Sequence, residues 1–344
     1  MRKLVIVAVV AGLVSAWTVV AEDPFATLRG EKLWEQAKIR FFPLPTEVPD
    51  ADNPLTIAKV KLGKTLYFDT RLSKDGNVSC DSCHVLAEFG VDNLPTSPGD
   101  GGEFGPRNSP TVLNAALHLA QFWDGRAKDV EEQAGMPILN PIEMGIPSKE
   151  FLVERLSRIE GYRTLFSEAF PGEDPPLTYA NVEKALGAFE RTLLTPSRFD
   201  DYLDGDQSAL AADEQEGLRK FMELGCSSCH NGYAIGGYSF RKFGLQGDYW
   251  EHTKSETIDE GRFAETGEDQ DRFVFKVAAL RNVAETGPYF HDGSVEDLGE
   301  AVRIMTRMQV GLDLTHAETA SLVDFLESLT GEIPPSALEM PAAP

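Results

Sequence analysis

Cys80-Asp81-Ser82-Cys83-His84 and, 146 positions later (226 minus 80), Cys226-Ser227-Ser228-Cys229-His230 use every cysteine in the chain. Two thiols three residues apart on a helical turn can each add to one vinyl group of a haem, and the histidine after the second thiol can reach the iron. The pair of pentapeptides predicts two covalently attached c-type haems, with His84 and His230 as iron ligands. A structural zinc site of four thiolates is the main alternative, but it has no use for a histidine after each pair. A thioredoxin-like dithiol is another, and it belongs in a βαβ setting that this sequence lacks.

Residues 1–21 read as an export signal: Arg2 and Lys3, an apolar run from Leu4 to Val14, and Val19-Val20-Ala21 before Glu22. The run is short for a membrane span, with an uncleaved anchor as the alternative. A periplasmic location is expected, which suits covalent haem attachment. About 320 mature residues suffice for two cores, so one haem per domain is the natural division. The formal charge of -23 becomes -25 once Arg2 and Lys3 are removed, which argues against nucleic acid and anionic lipid as partners. The same charge suits solubility or the steering of a basic electron donor.

Helical periodicity dominates, over Lys149 to Phe170, Tyr179 to Leu194, Ala209 to Leu224, Val295 to Met308 and Ala317 to Leu329. Thr315 and Glu318 form a capping box for the last helix, which buries Leu322, Phe325, Leu326 and Leu329 and ends at Gly331, Pro334 and Pro335. The Gly/Pro-rich stretch Leu94 to Pro110 is expected to be a loop over the first haem. Pro171 to Pro176 is a second break. Residues 232–271 read as exposed loop with little apolar content to order them. No short-period repeat is visible, and the halves share a plan rather than obvious sequence. The fold class expected is mainly α, with two cytochrome c-like domains at 22–195 and 196–344 and a C-terminal tail returning to the first.

Gly105-Pro106-Arg107-Asn108-Ser109-Pro110-Thr111-Val112-Leu113-Asn114, Gln121-Phe122-Trp123-Asp124-Gly125-Arg126, Asn140-Pro141-Ile142-Glu143-Met144-Gly145, Leu280-Arg281-Asn282-Val283 and Pro288-Tyr289-Phe290-His291 together resemble the bacterial dihaem cytochrome c peroxidases. The similarity runs from about Leu62 to Ile333. It implies reduction of hydrogen peroxide at a low-potential haem held by His84, with electrons from a small cytochrome c or a copper protein (cupredoxin) entering at a high-potential haem held by His230. The second iron's other ligand would be Met305, with Met308 as the competitor, and a thioether raises haem potential.

Breaking an O–O bond requires a group that moves a proton from one oxygen to the other. The resemblance assigns this to Glu143, with Gln133 as the distal glutamine and Trp123 between the haems as electron carrier. It also implies a calcium ion bound by Asn108, Thr286 and Pro288, with water completing the shell, and a homodimer. His118 reads as packed in an apolar helical stretch, His252 as a loop residue, and His316 as lying beside a helix cap. His291 reads as touching a haem propionate or the calcium region.

One departure stands out. Many members carry a loop histidine that ligates the first iron in the oxidised enzyme, and Asp100 stands at that place. A carboxylate is a poor substitute, so the first iron is expected to accept peroxide without reductive activation. The competing functions are a non-catalytic dihaem electron carrier, disfavoured by Glu143 and Gln133, and MauG-like oxidation of a partner protein. The MauG group carries a tyrosine at the second haem, so Met305 argues against it.

Overall fold

The computed structural model describes residues 28–344, so the export signal lies outside the described residues. The chain is mainly helical, and its two named strands, Phe240–Lys242 and Val274–Lys276, pair antiparallel with Arg241 opposite Phe275. Among the described residues, no helix is long and apolar enough to cross a membrane.

The first apolar cluster forms where Tyr179–Glu190 crosses Ile57–Tyr67. Thr178 caps the former by accepting from the Asn181 amide, and Val182, Ala185, Leu186 and Phe189 then share one buried face. Gly63 permits the close approach, because a Cβ there would lie 1.8 Å from the Ala185 carbonyl oxygen. The helix expected over Lys149 to Phe170 is two, Lys149–Ser157 and Glu160–Ala169. In a straight helix Leu152 and Leu156 would point about 80° away from Tyr162 and Phe166, and the break lets both pairs enter one core. Ala337 joins this same core, and Lys64 Nζ donates to the Ser336 carbonyl at 2.6 Å.

The second cluster is built on Ala212–Glu223 and His316–Glu327, where the capping box at Thr315 and Glu318 forms and Leu322, Phe325, Leu326 and Leu329 are buried. Helix Glu31–Arg40, which the expected boundary groups with the first half, places Leu33, Ala37 and Phe41 in this second cluster beside Phe199 and Phe221. A third cluster corrects the reading of residues 232–271 as loop without a core: Phe243 and Tyr249 are buried with Phe275, Ile304 and Met308. Phe243 and Tyr249 suffice because their apolar partners come from elsewhere in the chain.

A repeat hidden from the sequence emerges at an offset of 168 positions (282 minus 114). Asn114 and Asn282 each adopt a left-handed conformation at the start of a short 3₁₀ turn, Ala115–Leu117 and Val283–Glu285. Phe122 and Phe290, then Gly125 and Gly293, also have positive φ. The bridges Gln121↔Ala127 and Tyr289↔Val295 match, as do Asp129 and Asp297, which cap helices Val130–Leu139 and Leu298–Met305. The two units meet back to back: the Lys276 amide donates to Trp123 O at 2.7 Å, and the Asn108 amide to His291 O at 2.8 Å. Thr195 Oγ1 accepts from Asn114 Nδ2 at 2.8 Å and from Asn282 Nδ2 at 2.9 Å, which pins both units to one buried residue.

Candidate functional site

Cys80–Cys83 is a single helical turn capped by Ser79, and the His84 amide bonds back to Cys80 O at 3.0 Å. Buried Tyr67 donates to His84 O at 2.6 Å and holds the turn against the first cluster. Burial lowers the His84 pKa, which favours a neutral imidazole able to give a lone pair to a metal, and its Nδ1 is buried without a partner. Burial pushes the Cys83 thiol up to about 11 and Cys80 higher still.

The second motif is a tighter turn, Cys226–Ser228, entered through Gly225 at φ 81°. His230 Nδ1 lies 3.1 Å from Ala278 O, an orientation that leaves Nε2 for the iron, and burial takes the ring's pKa down to about 4. All four thiols are unpaired. Cys80 packs against the first cluster and Cys226 against the second, so the four sulfurs do not make one zinc site. Unpaired thiols on one turn, followed by an imidazole kept neutral, fit a covalent haem at each motif.

Of the residues expected for peroxide chemistry, Glu143 lies near the first motif. Glu143 is half-buried on the turn after Val130–Leu139, where Asn140 Nδ2 donates to its Oε1 at 2.9 Å. Desolvation raises the Glu143 pKa, partly offset by the charge of Arg126 and the Asn140 hydrogen bond. Its charge in turn reaches Cys83 of the haem-binding turn. Arg126 is held by Asp124 Oδ2 at 2.9 Å and lies over the Phe122 ring, 3.5 Å from its centre. Gln133 is half-buried on the first exposed turn of Val130–Leu139.

Asp100 is buried and turned inward: its carboxylate accepts from the Asp75 amide at 3.0 Å, and its own amide donates to Glu143 O at 2.7 Å. Gly99 is needed beside it, because a Cβ would lie 1.8 Å from Ile142 O. The loop Leu94 to Pro110 is thereby clasped to the Glu143 turn.

Trp123 sits at the junction of the repeats, its Nε1 donating to Asn108 O at 2.9 Å and its ring edge-on to His291 at 6.4 Å. Met305 ends Leu298–Met305 and is half-buried against the third cluster, whereas Met308, in the π-helical turn Thr306–Val310, is 1% exposed within it. Asn108 reaches the 286–291 segment through its amide bond to His291 O, and Pro288 follows a cis peptide bond from Gly287. Among the described residues, no group of three or more His, Cys, Asp or Glu is placed to hold a metal, so any ion near Asn108, Thr286 and Pro288 depends on amide and carbonyl oxygens.

Two residues that drew little attention in the sequence prove central. Arg281 is fully buried and pairs with Asp200 through both amino nitrogens, at 2.7 and 2.8 Å. His118 caps a 3₁₀ turn rather than lying in a helix, and its Nδ1 meets the buried Lys276 Nζ at 3.1 Å. Lys276 had no sequence signal: one lysine in a strand-like run reads as solvated.

The di-haem cytochrome c peroxidase family model matches residues 57–208. The chain is 44% identical over 314 residues to cytochrome c551 peroxidase of Pseudomonas aeruginosa, covering 90% of each protein. It is 37% identical to the methylamine utilization protein MauG of Methylorubrum extorquens, covering 88% of this chain and 86% of that one. The crystal structure of a MauG-like protein associated with microbial copper homeostasis superposes with a TM-score of 0.77 at 30% identity, covering 87% of this chain and 97% of the other.

Proposed function

Because the chain belongs to the dihaem cytochrome c peroxidase family and is a haem peroxidase, an oxidoreductase, we propose that it reduces hydrogen peroxide, with two electrons and two protons, to two waters. The electrons come from a small cytochrome c or cupredoxin outside the cytoplasm, enter at the second motif and are used at the first. Cys80, Cys83 and His84 hold one haem and Cys226, Cys229, His230 and Met305 the other, in two cytochrome c-like domains at 22–195 and 196–344. Bound there, haem supplies a redox-active iron that meets the peroxide and another that stores an electron.

The chain's own groups do the proton work. Glu143, as carboxylate, takes a proton from one peroxide oxygen and returns it to the other, which leaves as water. Gln133 holds the peroxide with its side-chain amide. Asn140 fixes the rotamer of Glu143, and Arg126 keeps the carboxylate available against the desolvation that raises its pKa. Trp123 links the two sides through its bonds to Asn108 and Lys276. A calcium ion at Asn108, Thr286 and Pro288 braces the same junction.

The observation that carries this reading is the half-buried Glu143 carboxylate, held by Asn140 beside the Cys80-to-His84 turn. Glu143→Gln should leave the haem spectra intact and lower peroxide turnover by about 10² or more. The wild-type pH profile should lose activity on the acid side with a midpoint above the ordinary glutamate value of about 4.3, because a raised pKa means protonation at higher pH and the reaction needs the ionised form. Turnover unchanged in the variant would remove Glu143 from the mechanism.

Asp100 carries a second part of the proposal. Its carboxylate is committed to the Asp75 amide and its backbone to Glu143, so the loop is latched beside the peroxide site rather than supplying an iron ligand. A haem held by His84 would then be open to peroxide when both haems are ferric. The oxidised protein should show a high-spin ferric signal by electron paramagnetic resonance, and two wholly low-spin haems would sink the idea. MauG-like oxidation of a partner is disfavoured by methionine at position 305.

A further inference from the structure

Lys276 is 7% exposed, and among the described residues its ammonium makes one hydrogen bond, to His118 Nδ1 at 3.1 Å. Lysine only donates, so Nδ1 must accept, and the proton of a neutral imidazole then sits on Nε2. That Nε2 is itself buried without a partner. The ammonium thus has N–H groups with no acceptor among the described residues, and so does the far side of the ring that supports it. Burying an ammonium beside a neutral ring costs several kcal/mol unless an anion joins it. In the bare chain, burial pushes the Lys276 pKa down to about 7.

Among the described residues no carboxylate is paired with Lys276. Asp124, whose charge reaches Lys276, already binds Arg107 and Arg126, and Arg107 is shared with Asp259 at 2.6 Å. Arg126 is engaged by Asp124 and by the charge of Glu143 as well, so these carboxylates are committed to the arginines rather than to Lys276. Lys276 lies at the second motif: Ala278, two residues beyond it, accepts His230 Nδ1. Gly237, at φ +79°, makes room for His118, whose Cδ2 would lie 2.4 Å from a Cβ there.

The repeat identifies what this place corresponds to. At the offset of 168, Lys276 is the mate of Asn108 (276 minus 108) and His118 the mate of Thr286 (286 minus 118), the two residues proposed to bind calcium on the other side of the junction. One side of the frame offers oxygen ligands for a cation, and the other carries its own cation.

We propose that Lys276, supported by His118, is a tethered cation that receives a propionate carboxylate of the haem held by His230, as the internal counterpart of the metal ion at Asn108 and Thr286. The carboxylate accepts from Lys276 Nζ, which keeps its bond to His118 Nδ1, and returns the ammonium to its charged form. A fixed positive charge there favours the reduced haem, which suits an electron entry site. This side of the junction then needs no exogenous ion.

The inference rests on a haem at the second motif, which a pyridine haemochrome count of two haems per chain tests separately. A crystal structure of the two-haem protein should show a propionate oxygen within hydrogen-bond distance of Lys276 Nζ. Both propionates of that haem bound elsewhere would overturn the proposal. In a redox titration of Lys276→Met with both haems present and the methionine–iron band intact, the reduced fraction of the second haem at fixed potential should fall about tenfold, about 59 mV for one electron. His118→Phe should fall less, and an unchanged midpoint in Lys276→Met would overturn the electrostatic role. If Lys276→Met does not assemble with haem, the wild-type crystal structure alone decides.

Discussion

Residues 114–137 and 282–305 follow one backbone course, with left-handed residues, bridge and helix cap in step, yet their side chains diverge wherever the proposed chemistry lies. Trp123 corresponds to His291, Gln133 to Ala301, and Pro137 to Met305. Glu143 corresponds to Gly311, which has no side chain to offer. The first unit thus carries an amide and a carboxylate and, where the other unit presents a thioether, a proline with no donor atom. On the proposed reading, a symmetric frame carries one open haem face and one closed one. The difference teaches that the division of labour lies in a few side chains on matched positions rather than in different folds.

The comparison can be broken in order of expected effect. Glu143→Gln, with its loss of about 10² in turnover, should have no equivalent in the second unit: Gly311→Ala should leave peroxide chemistry intact when electrons are supplied directly. Pro137→Met would give the first unit the thioether of the second. It should convert the first ferric haem to low spin and slow peroxide turnover about tenfold, the scale of closing a binding position by about 1.4 kcal/mol. A spectrum that stays high-spin would mean that position 137 does not address the iron.

Met305→His tests the closed face. The second haem should remain attached, and its midpoint should drop by at least about 59 mV, a tenfold change in the one-electron equilibrium. A redox titration with no drop would mean that Met305 is not the ligand. The smallest effect is on the frame itself. Asn282→Ala removes bonds to Thr195 and the Gly331 amide, all buried, and places alanine at φ 60°. Denaturant unfolding of the holoprotein should show a loss of about 2–3 kcal/mol, and Asn114→Ala a similar one, since the two asparagines share Thr195.

The elements most legible in the sequence were those set by neighbours along the chain. The last helix declared itself through the capping box at Thr315 and its buried stripe, and the loop from Leu94 to Pro110 through its glycines and prolines. The helix over Lys149 to Phe170 was misread as continuous because nothing local marks Arg158 and Ile159 as a break. The break exists to aim Leu152 and Tyr162 at one core. The ordered core around Tyr249 was missed because its partners Phe275 and Ile304 are distant in sequence.

The repeat escaped notice for a related reason. Its marks are backbone conformations, at Asn114 and Asn282 or at Phe122 and Phe290, while the side chains around them have diverged. Motif resemblance drew attention to Glu143, Trp123 and Met305 without saying what holds them. Lys276 carries no local mark, and His118 reads only as a packed residue.

By itself the sequence determined that two haems can be attached, because thioether formation and iron ligation need a cysteine, a cysteine and a histidine at spacings that one turn of backbone satisfies. It also determined the predominance of helix and, through its motifs, the family. Only the tertiary structure decided which side chains meet across the chain: Asp100 turned onto the Asp75 amide instead of outward, Thr195 gripped by two asparagines, and Lys276 placed on His118 from 158 residues away. A contact of that span has no local period or spacing to betray it. It arises when two backbone units of the same shape pack back to back and bury whatever each carries.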